Sequence, residues 1–394
     1  MKLNLYKLCD EKLNVGSIRV VLDGQLKKQV KEIIKALTDK SKLKDISNNL
    51  GIDYTTLWDY CHRRGSIPLI VLQKLEHFSK KEFQKENFQF VCGHQKNKVK
   101  LPMKIDENLA KIVGAIMADG HLKIRKSKRG QHYELVLREG YKNNVDAFIN
   151  WFEDVFNFRL ELKKQDNHYY IYCSNKIIVL YLTKIIGLPT GKKSDIISVP
   201  DIFMNSNVKL KTSLLLGIFM FDGGVDYCTG YIGLTTRSEQ LSNDVNKLLN
   251  NVNIIPDYVG TTADRYGRWK ILFRKNDKLK QCVSLFEDNT EKWYRLQEHF
   301  NGLSIKTNDK NIFYQEFNKY YPKTRKSSIT FTDVLLAIEQ LKQANSKQIG
   351  KTLKKGKTTV NAYLSKLAKW KIIRSKRVGL QKYWEINEYY IPRR

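Results

Sequence analysis

The sequence predicts an α+β fold built from two like halves, each ordered αββαββα, with a helical module ahead of them and a helix-plus-hairpin module behind. Three observations predict it. A nine-residue pattern occurs twice, as IVGAIMADG from Ile112 to Gly120 and as LLGIFMFDG from Leu215 to Gly223. The same succession of helical and alternating apolar periodicities follows each copy. Lys-rich, Pro-marked stretches set the flanks apart from this core.

At 394 residues the chain exceeds what one core usually organises. Residues 1–78 read as a helical domain. Lys27 to Leu37 carries Val30, Ile33, Ile34 and Leu37 at helical spacing. In KLKDISNNLGIDYTTLWDYCHRR, Ile46 and Leu50 share a helix face, Gly51 supplies a turn, and Thr55, Thr56 and Leu57 open a second helix ending near Arg63 and Arg64. Helix, Gly-containing turn, helix is the helix-turn-helix layout, whose second helix enters the major groove. An ordinary helical hairpin is the alternative. Residues 79–104, Lys-rich and closing with Pro102, read as a linker.

Residues 105–200 form the first half. A helix from Glu107 to Ala118 precedes strands His121–Ser127 and His132–Arg138; a helix from Asn144 to Phe156, a hairpin over Arg159–Ser174 and a helix from Lys176 to Ile186 follow. Residues 201–308 repeat the order: helix Leu210–Phe221, strands over Val225–Thr235, helix Glu239–Val252, hairpin Tyr258–Thr262 with Arg268–Arg274, and helices from Lys278 onward. A four-stranded antiparallel sheet per half, with one basic face, makes a pseudo-symmetric saddle. Residues 309–327 read as a second linker with Pro322 and a basic cluster. Residues 328–394 give helices from Thr330 to Gln343 and over SKQIGKTLKKGKTTVNAYLSKLAKW, then strands Ile372–Val378 and Lys382–Ile386 joined near Gly379. That order is a winged-helix pattern, with the helix Thr358–Lys369 as its recognition element. A protein-docking winged helix is the alternative.

The net charge of +30 points to a polyanionic partner, nucleic acid first. From Lys326 to Arg394, 16 Lys or Arg face 4 acids, so this short segment holds two-fifths of the excess. Six scattered cysteines with no CxxC pair argue against a zinc site and fit a reducing cytosol. The chain opens with no secretory pattern, and its most apolar run, Ile177 to Leu188, is too short to span a bilayer. A cytoplasmic, nucleoid-associated protein without membrane contact is expected.

Asp119 and Asp222 close the two motif copies, 103 positions apart. A carboxylate delivered once per half of a two-fold fold suits hard divalent cations. Small residues four apart let two such helices approach closely, and Gly114, Ala118 and Gly217 supply them. Gly120 and Gly223 are expected to turn the chain sharply into the next strand, with their carbonyls near a metal.

Two nonapeptides at this spacing, each heading an αββαββα half, resemble the LAGLIDADG homing endonucleases in their monomeric two-motif form, over residues 105–308. The resemblance implies site-specific hydrolysis of double-stranded DNA, with Mg²⁺ or Mn²⁺ held by Asp119 and Asp222 beside Gly120 and Gly223. It also implies a basic residue after the last helix of a half. GLPTGKKSDIISVP matches that segment, so Lys193 is the catalytic candidate and Lys192 the second; in the other half the counterpart falls near Lys306. Expected DNA contacts are Thr55, Thr56, Arg63, Arg64, Lys123, Arg125, Lys192, Lys270, Lys357, Thr358, Thr359, Lys376 and Arg377. Phe221 stands where the family usually has a small residue. It is expected to push the motif helices apart and displace Asp222, leaving an asymmetric site.

A self-splicing insert needs a nucleophile at its first position and usually Asn at its last; a chain starting at Met1 and ending IPRR is not expected to splice. The alternative function is a DNA-binding transcriptional regulator built on an inactive core of the same fold, and a third is an RNA-splicing role.

Overall fold

The computed structural model describes residues 3–9, 17–92, 97–127, 130–166, 168–226, 231–262, 267–274, 276–286, 290, 292–293, 296, 305–306, 314, 329–369, 372–379, 381–387 and 390–391. The fold is α+β with antiparallel sheets. Two compact units emerge: Met1–Gly224 with Gly233–Glu291, and Val225–Ile232 with Lys292–Arg394.

The first unit opens with an N-terminal region of mixed character. Strand β1 (Ile18–Val21) precedes helices α1 (Gly24–Thr38), α2 (Leu43–Leu50) and α3 (Tyr54–His62), then β2 (Ser66–Pro68) and α4 (Leu69–Ser79). Asp23 caps α1 by accepting from the Leu26 amide, and Gly51 ends α2 at φ 68°, the left-handed conformation that glycine adopts without penalty. Residues 79–104 are not the linker that their composition predicts. They hold β3 (Gln89–Cys92) and β4 (Val99–Lys100), which complete a sheet ordered β2-β1-β3-β4. Phe88, Phe90 and Cys92 are buried on alternate positions, which makes a strand despite the surrounding lysines.

The first half of the core matches its predicted order. Helix α5 (Glu107–Ala118) leads into β5 (Gly120–Ser127) and β6 (Gly130–Glu139); α6 (Lys142–Phe156), β7 (Glu161–Gln165) and β8 (His168–Cys173) follow. The sheet runs β5-β6-β8-β7. Its core face carries Leu122, Leu135, Leu137, Ile171 and Cys173, packed toward a helix core that includes Phe148, Phe152 and Phe156. The last predicted helix is split: α7 (Lys176–Leu180) passes into a π-helical turn, Tyr181–Ile185.

The second half adds a short helix α8 (Asp201–Met204), then α9 (Val208–Asp222), β9 (Gly224–Asp226), β10 (Tyr231–Thr236), α10 (Glu239–Asn251), β11 (Tyr258–Thr261), β12 (Trp269–Phe273) and α11 (Asn276–Gln281). Strand β12 lies between β11 and β10. Residues 227–230 of the predicted strand pair, and most of the helical tail beyond residue 286, lie outside the described residues.

In the second unit, β13 (Ile305–Lys306) pairs with a strand at Tyr390–Ile391. The predicted linker 309–327 lies outside the described residues except Tyr314. Helix α12 (Phe331–Leu341) starts from a reciprocal Thr330–Asp333 capping box. Strand β14 (Ala344–Asn345), helices α13 (Ser346–Thr352) and α14 (Lys357–Lys369), and the hairpin β15 (Ile373–Val378) and β16 (Gln381–Ile386) follow, with sheet order β14-β16-β15. Their apolar faces close one core around Val334, Leu335, Ile338, Ile349, Val360, Leu364 and Leu367. Among the described residues, no helix is long and apolar enough to cross a membrane.

Candidate metal and nucleic-acid site

Helices α5 and α9 meet backbone to backbone at their glycines. A Cβ on Gly114 would collide with the Leu214 carbonyl and lie 2.9 Å from the Ile218 nitrogen. A Cβ on Gly217 would collide with the Lys111 carbonyl and lie 3.0 Å from the Ala115 nitrogen. The two sets of contacts mirror each other, as a pseudo-dyad requires. At the other end of the pair, Lys209 and Glu107 form an ion pair of 2.7 Å.

Each helix therefore delivers its acid at its C-terminal end, and both carboxylate-bearing residues are exposed. Asp119 caps α5, its amide donating to the Ala115 carbonyl at 3.1 Å; Asp222 is the last residue of α9. Gly120 and Gly223 follow the acids and lead into the next strands, and neither adopts left-handed backbone. Gly223 has φ −67° and ψ 133°, a conformation open to any residue. Glycine is needed because the chain folds back onto its own helix: a Cβ at Gly120 would lie 2.5 Å from the Ile116 Cα, and one at Gly223 would collide with the Phe219 carbonyl.

The segment after the π-helical turn brings Lys193 to the same place. Gly191, at φ 77°, donates its amide to the Leu122 carbonyl at 2.9 Å, which ties the loop to β5. The half-buried Lys193 ammonium then donates to the carbonyls of Ile116, Met117 (2.7 Å) and Ala118 (3.1 Å). These are carbonyls that the end of α5 leaves without helical partners, and a cation there also complements the helix dipole. Burial pulls the Lys193 pKa down to about 8, against the opposing pull of the Asp119 and Asp222 carboxylates. Asp119 and Lys193 line one cleft, and the Asp222 carboxylate also acts on this ammonium.

A lysine whose folded pKa lies below its unfolded value costs stability while both states are protonated, and that cost is relieved as pH rises from about 8 toward 10.5. The urea midpoint of the parent minus that of Lys193→Met is therefore expected to increase between those pH values. A constant difference contradicts the burial of this ammonium.

The end of α9 is held differently. Asn144, fully buried, donates from one amide nitrogen to the Met220 carbonyl at 3.1 Å and to Glu139 at 3.0 Å. Glu139 in turn accepts from the backbone amides of Gly140 and Tyr141. An amide supports one motif helix where an amine supports the other, so the two-fold symmetry is broken at this shell.

Phe221 does not play the part that its bulk predicts. Its ring is buried against Phe148 of α6, edge to face with centroids 5.9 Å apart, while the helices still touch at Gly114 and Gly217. It is core packing between the halves. Phe221→Ala is expected to cost about 3–5 kcal/mol in denaturant unfolding, the usual loss for a buried phenyl ring, without a gain in cleavage. A faster variant of undiminished stability contradicts this placement.

An open cleft of about 680 Å³ lies beside Asp119, lined by His121, Lys123, Arg125, Lys192 and Lys193 among others. His121, Lys123 and Arg125 alternate on the sheet face opposite the core, opposite Val136, Glu134 and His132 of β6. Burial, then the charges of Lys123, Lys193 and Arg125, lower the His121 pKa. The same face carries Arg138 over Tyr170 and Lys163 over Tyr172, at 5.5 and 5.8 Å from the ring centroids. Sequence reasoning missed these cations and His121; strand alternation marks them only once the register of β6, β7 and β8 is known.

The remaining predicted contacts fall on separate surfaces. Thr55, Arg63 and Arg64 are exposed around α3, with Thr56 half-buried; Lys270 is half-buried on β12. In the second unit Lys357, Thr358 and Thr359 are exposed at the start of α14, and Lys376 and Arg377 are exposed on β15 beside Gly379. Lys306 lies in the two-residue strand paired with Tyr390–Ile391, and its side chain lies outside the described residues.

Two exposed carboxylates at helix C-termini fit a hard cation that keeps several waters, as Mg²⁺ does. Among the described residues no group of three or more His, Cys, Asp or Glu side chains comes together, so no all-protein cage is formed.

No protein-family model matches the chain. It is 23% identical over 237 residues to a glutamine–fructose-6-phosphate aminotransferase (isomerizing) of Methanocaldococcus jannaschii, covering 56% of this chain and 20% of that protein. It is 27% identical over 157 residues to an A-type ATP synthase component of Pyrococcus abyssi, covering 40% and 15%. It is 23% identical over 246 residues to a DNA polymerase of Thermococcus litoralis, covering 62% and 13%. The chain thus spans a fifth or less of these curated relatives, and the activities in their names belong to those proteins. Among solved structures, the homing endonuclease I-DmoI in complex with DNA and Mn aligns over 46% of this chain and 98% of its own, at 16% identity and a TM-score of 0.37. Full-length DUF199/WhiA from Thermatoga maritima aligns over 67% and 90%, at 15% identity and a TM-score of 0.32.

Proposed function

We propose that the protein is a LAGLIDADG-type endonuclease that hydrolyses phosphodiesters of double-stranded DNA with Mg²⁺ or Mn²⁺. The observation that supports the reading is the close, mirrored Gly114–Gly217 crossing of the two helices that end in Asp119 and Asp222, with the Lys193 ammonium seated on the end of α5. Asp119 and Asp222, with the neighbouring Gly120 and Gly223 carbonyls, would hold the cations. Bound there, a divalent ion supplies a hydroxide nucleophile and charge neutralisation for an in-line displacement. Lys193 fixes the end of α5, so that Asp119 keeps its place, and sets a positive charge where a scissile phosphate would lie. Lys192, His121, Lys123 and Arg125 line the path of the backbone away from it, and Lys270 serves the second half in the same way.

The element order of residues 328–394 supports a winged-helix module that touches phosphates through Lys357, Thr358 and Thr359 on α14 and Lys376 and Arg377 on the hairpin. With the helix-turn-helix region of residues 1–78, which offers Thr55, Thr56, Arg63 and Arg64, it would extend the footprint of a monomer.

Metal dependence tests this reading. In EDTA the protein is expected to bind duplex DNA without cutting it, and addition of Mg²⁺ is expected to produce discrete double-strand breaks. Sequence-specific binding with no cleavage in Mg²⁺ or Mn²⁺ overturns it in favour of a regulator on an inactive core.

A further inference from the structure

Helix α3 lacks side chains that read base edges with two hydrogen bonds at once. Its sequence, YTTLWDYCH, contains no Arg, Lys, Asn or Gln, the residues that read base edges with paired hydrogen bonds. Its carboxylate, Asp59, is engaged by Arg64 at 3.6 Å. Leu57, Tyr60 and Cys61 fill the core. One exposed side is aromatic: Tyr54, Trp58 and His62 recur there at four-residue spacing. Tyr54 is 50% and Trp58 38% exposed. The Trp58 and His62 rings stack with centroids 4.2 Å apart and 22° between planes, so each covers one face of the other and holds it in place. The Arg63 guanidinium sits 5.1 Å from the Trp58 ring centroid. Cations gather at the C-terminal end of this ladder: Arg63, Arg64, and Lys27, whose ammonium donates to the His62 carbonyl at 3.0 Å.

We infer that this face binds unpaired bases of single-stranded DNA. Stacking needs only the π-face that every base has, so exposed rings beside a cationic rim form a sequence-tolerant platform for a single strand. Bases would lie on Tyr54 and Trp58, and the phosphates would be drawn to Arg63, Arg64 and Lys27. In a paired duplex the same rings meet only groove edges, to which they offer few hydrogen bonds. The site is separate from Asp119 and Asp222 and stands whether or not the chain cuts DNA.

The test uses the full chain carrying Asp119→Asn, so that cleavage does not interfere, and labelled oligothymidine, oligouridine and mixed-sequence duplex of about 16 nucleotides or base pairs, the upper range of a stacking site. Fluorescence anisotropy at fixed salt reads affinity. Trp58→Ala and Tyr54→Ala are each expected to weaken oligothymidine binding about tenfold, with Trp58→Phe close to the parent and duplex binding unchanged. Because both positions are exposed, folding is expected to be preserved, and circular dichroism checks it. Unchanged oligothymidine binding in both alanine variants overturns the inference. Equal losses on duplex and single strand overturn it in favour of groove reading, and a preference for oligouridine overturns the assignment to DNA.

Discussion

Gly114→Val and Gly217→Val are each expected to destabilise the first unit by more than about 3 kcal/mol, beyond the usual range for overpacking. Most overpacked side chains find relief in a new rotamer. Here the colliding atom is the Cβ itself, and its neighbours are the Leu214 and Lys111 carbonyls and the backbones that follow them. Relief requires the helices to part, which would separate the ends that carry Asp119 and Asp222 and, in the proposed nuclease, lower cleavage along with stability. Gly24→Ala is the control, since a Cβ there meets nothing within 4 Å. Thermal unfolding of the three variants checks the prediction. A Gly114 or Gly217 variant that melts with the parent contradicts the close crossing.

Asp119→Asn and Asp222→Asn are expected to act in the opposite way, removing activity and sparing the fold. Both residues are exposed at helix ends, so the change of charge costs little packing. In the proposed nuclease each substitution would remove a hard anionic ligand from a site where a metal ion would contribute several kcal/mol of transition-state stabilisation. A loss of about 4 kcal/mol is roughly a thousandfold in rate. Duplex affinity in EDTA is expected to hold or rise, because a negative charge leaves the face proposed to meet phosphates. Single-turnover cleavage beside gel-shift binding separates the two effects. A variant that keeps near-parental cleavage removes that aspartate from the site.

Much of this was legible before the structure. The motif helices, their order with the hairpins of the first half, and the two acids all follow from periodicity and repetition, because α5 and α9 are long and end in Asp-Gly. Short elements escaped. Strands β3 and β4 have four and two residues inside a Lys-rich stretch, too few for alternation to outweigh composition. The family resemblance points to Lys193, but its grip on the carbonyls of Ile116, Met117 and Ala118 depends on a loop folding across more than seventy positions. Phe221 shows the limit most clearly. Read beside its own helix, it looks like a wedge in the seam; only the placement of Phe148 on α6 shows where the ring goes.

The most direct measurement is cleavage of a randomised duplex library in Mg²⁺ by the parent beside the Asp119→Asn, Asp222→Asn double variant, with sequencing of the new ends. Discrete cut sites that share a sequence and vanish in the double variant are the expected result. Uncut DNA with the parent, or identical cuts with both proteins, would contradict a nuclease centred on these two aspartates.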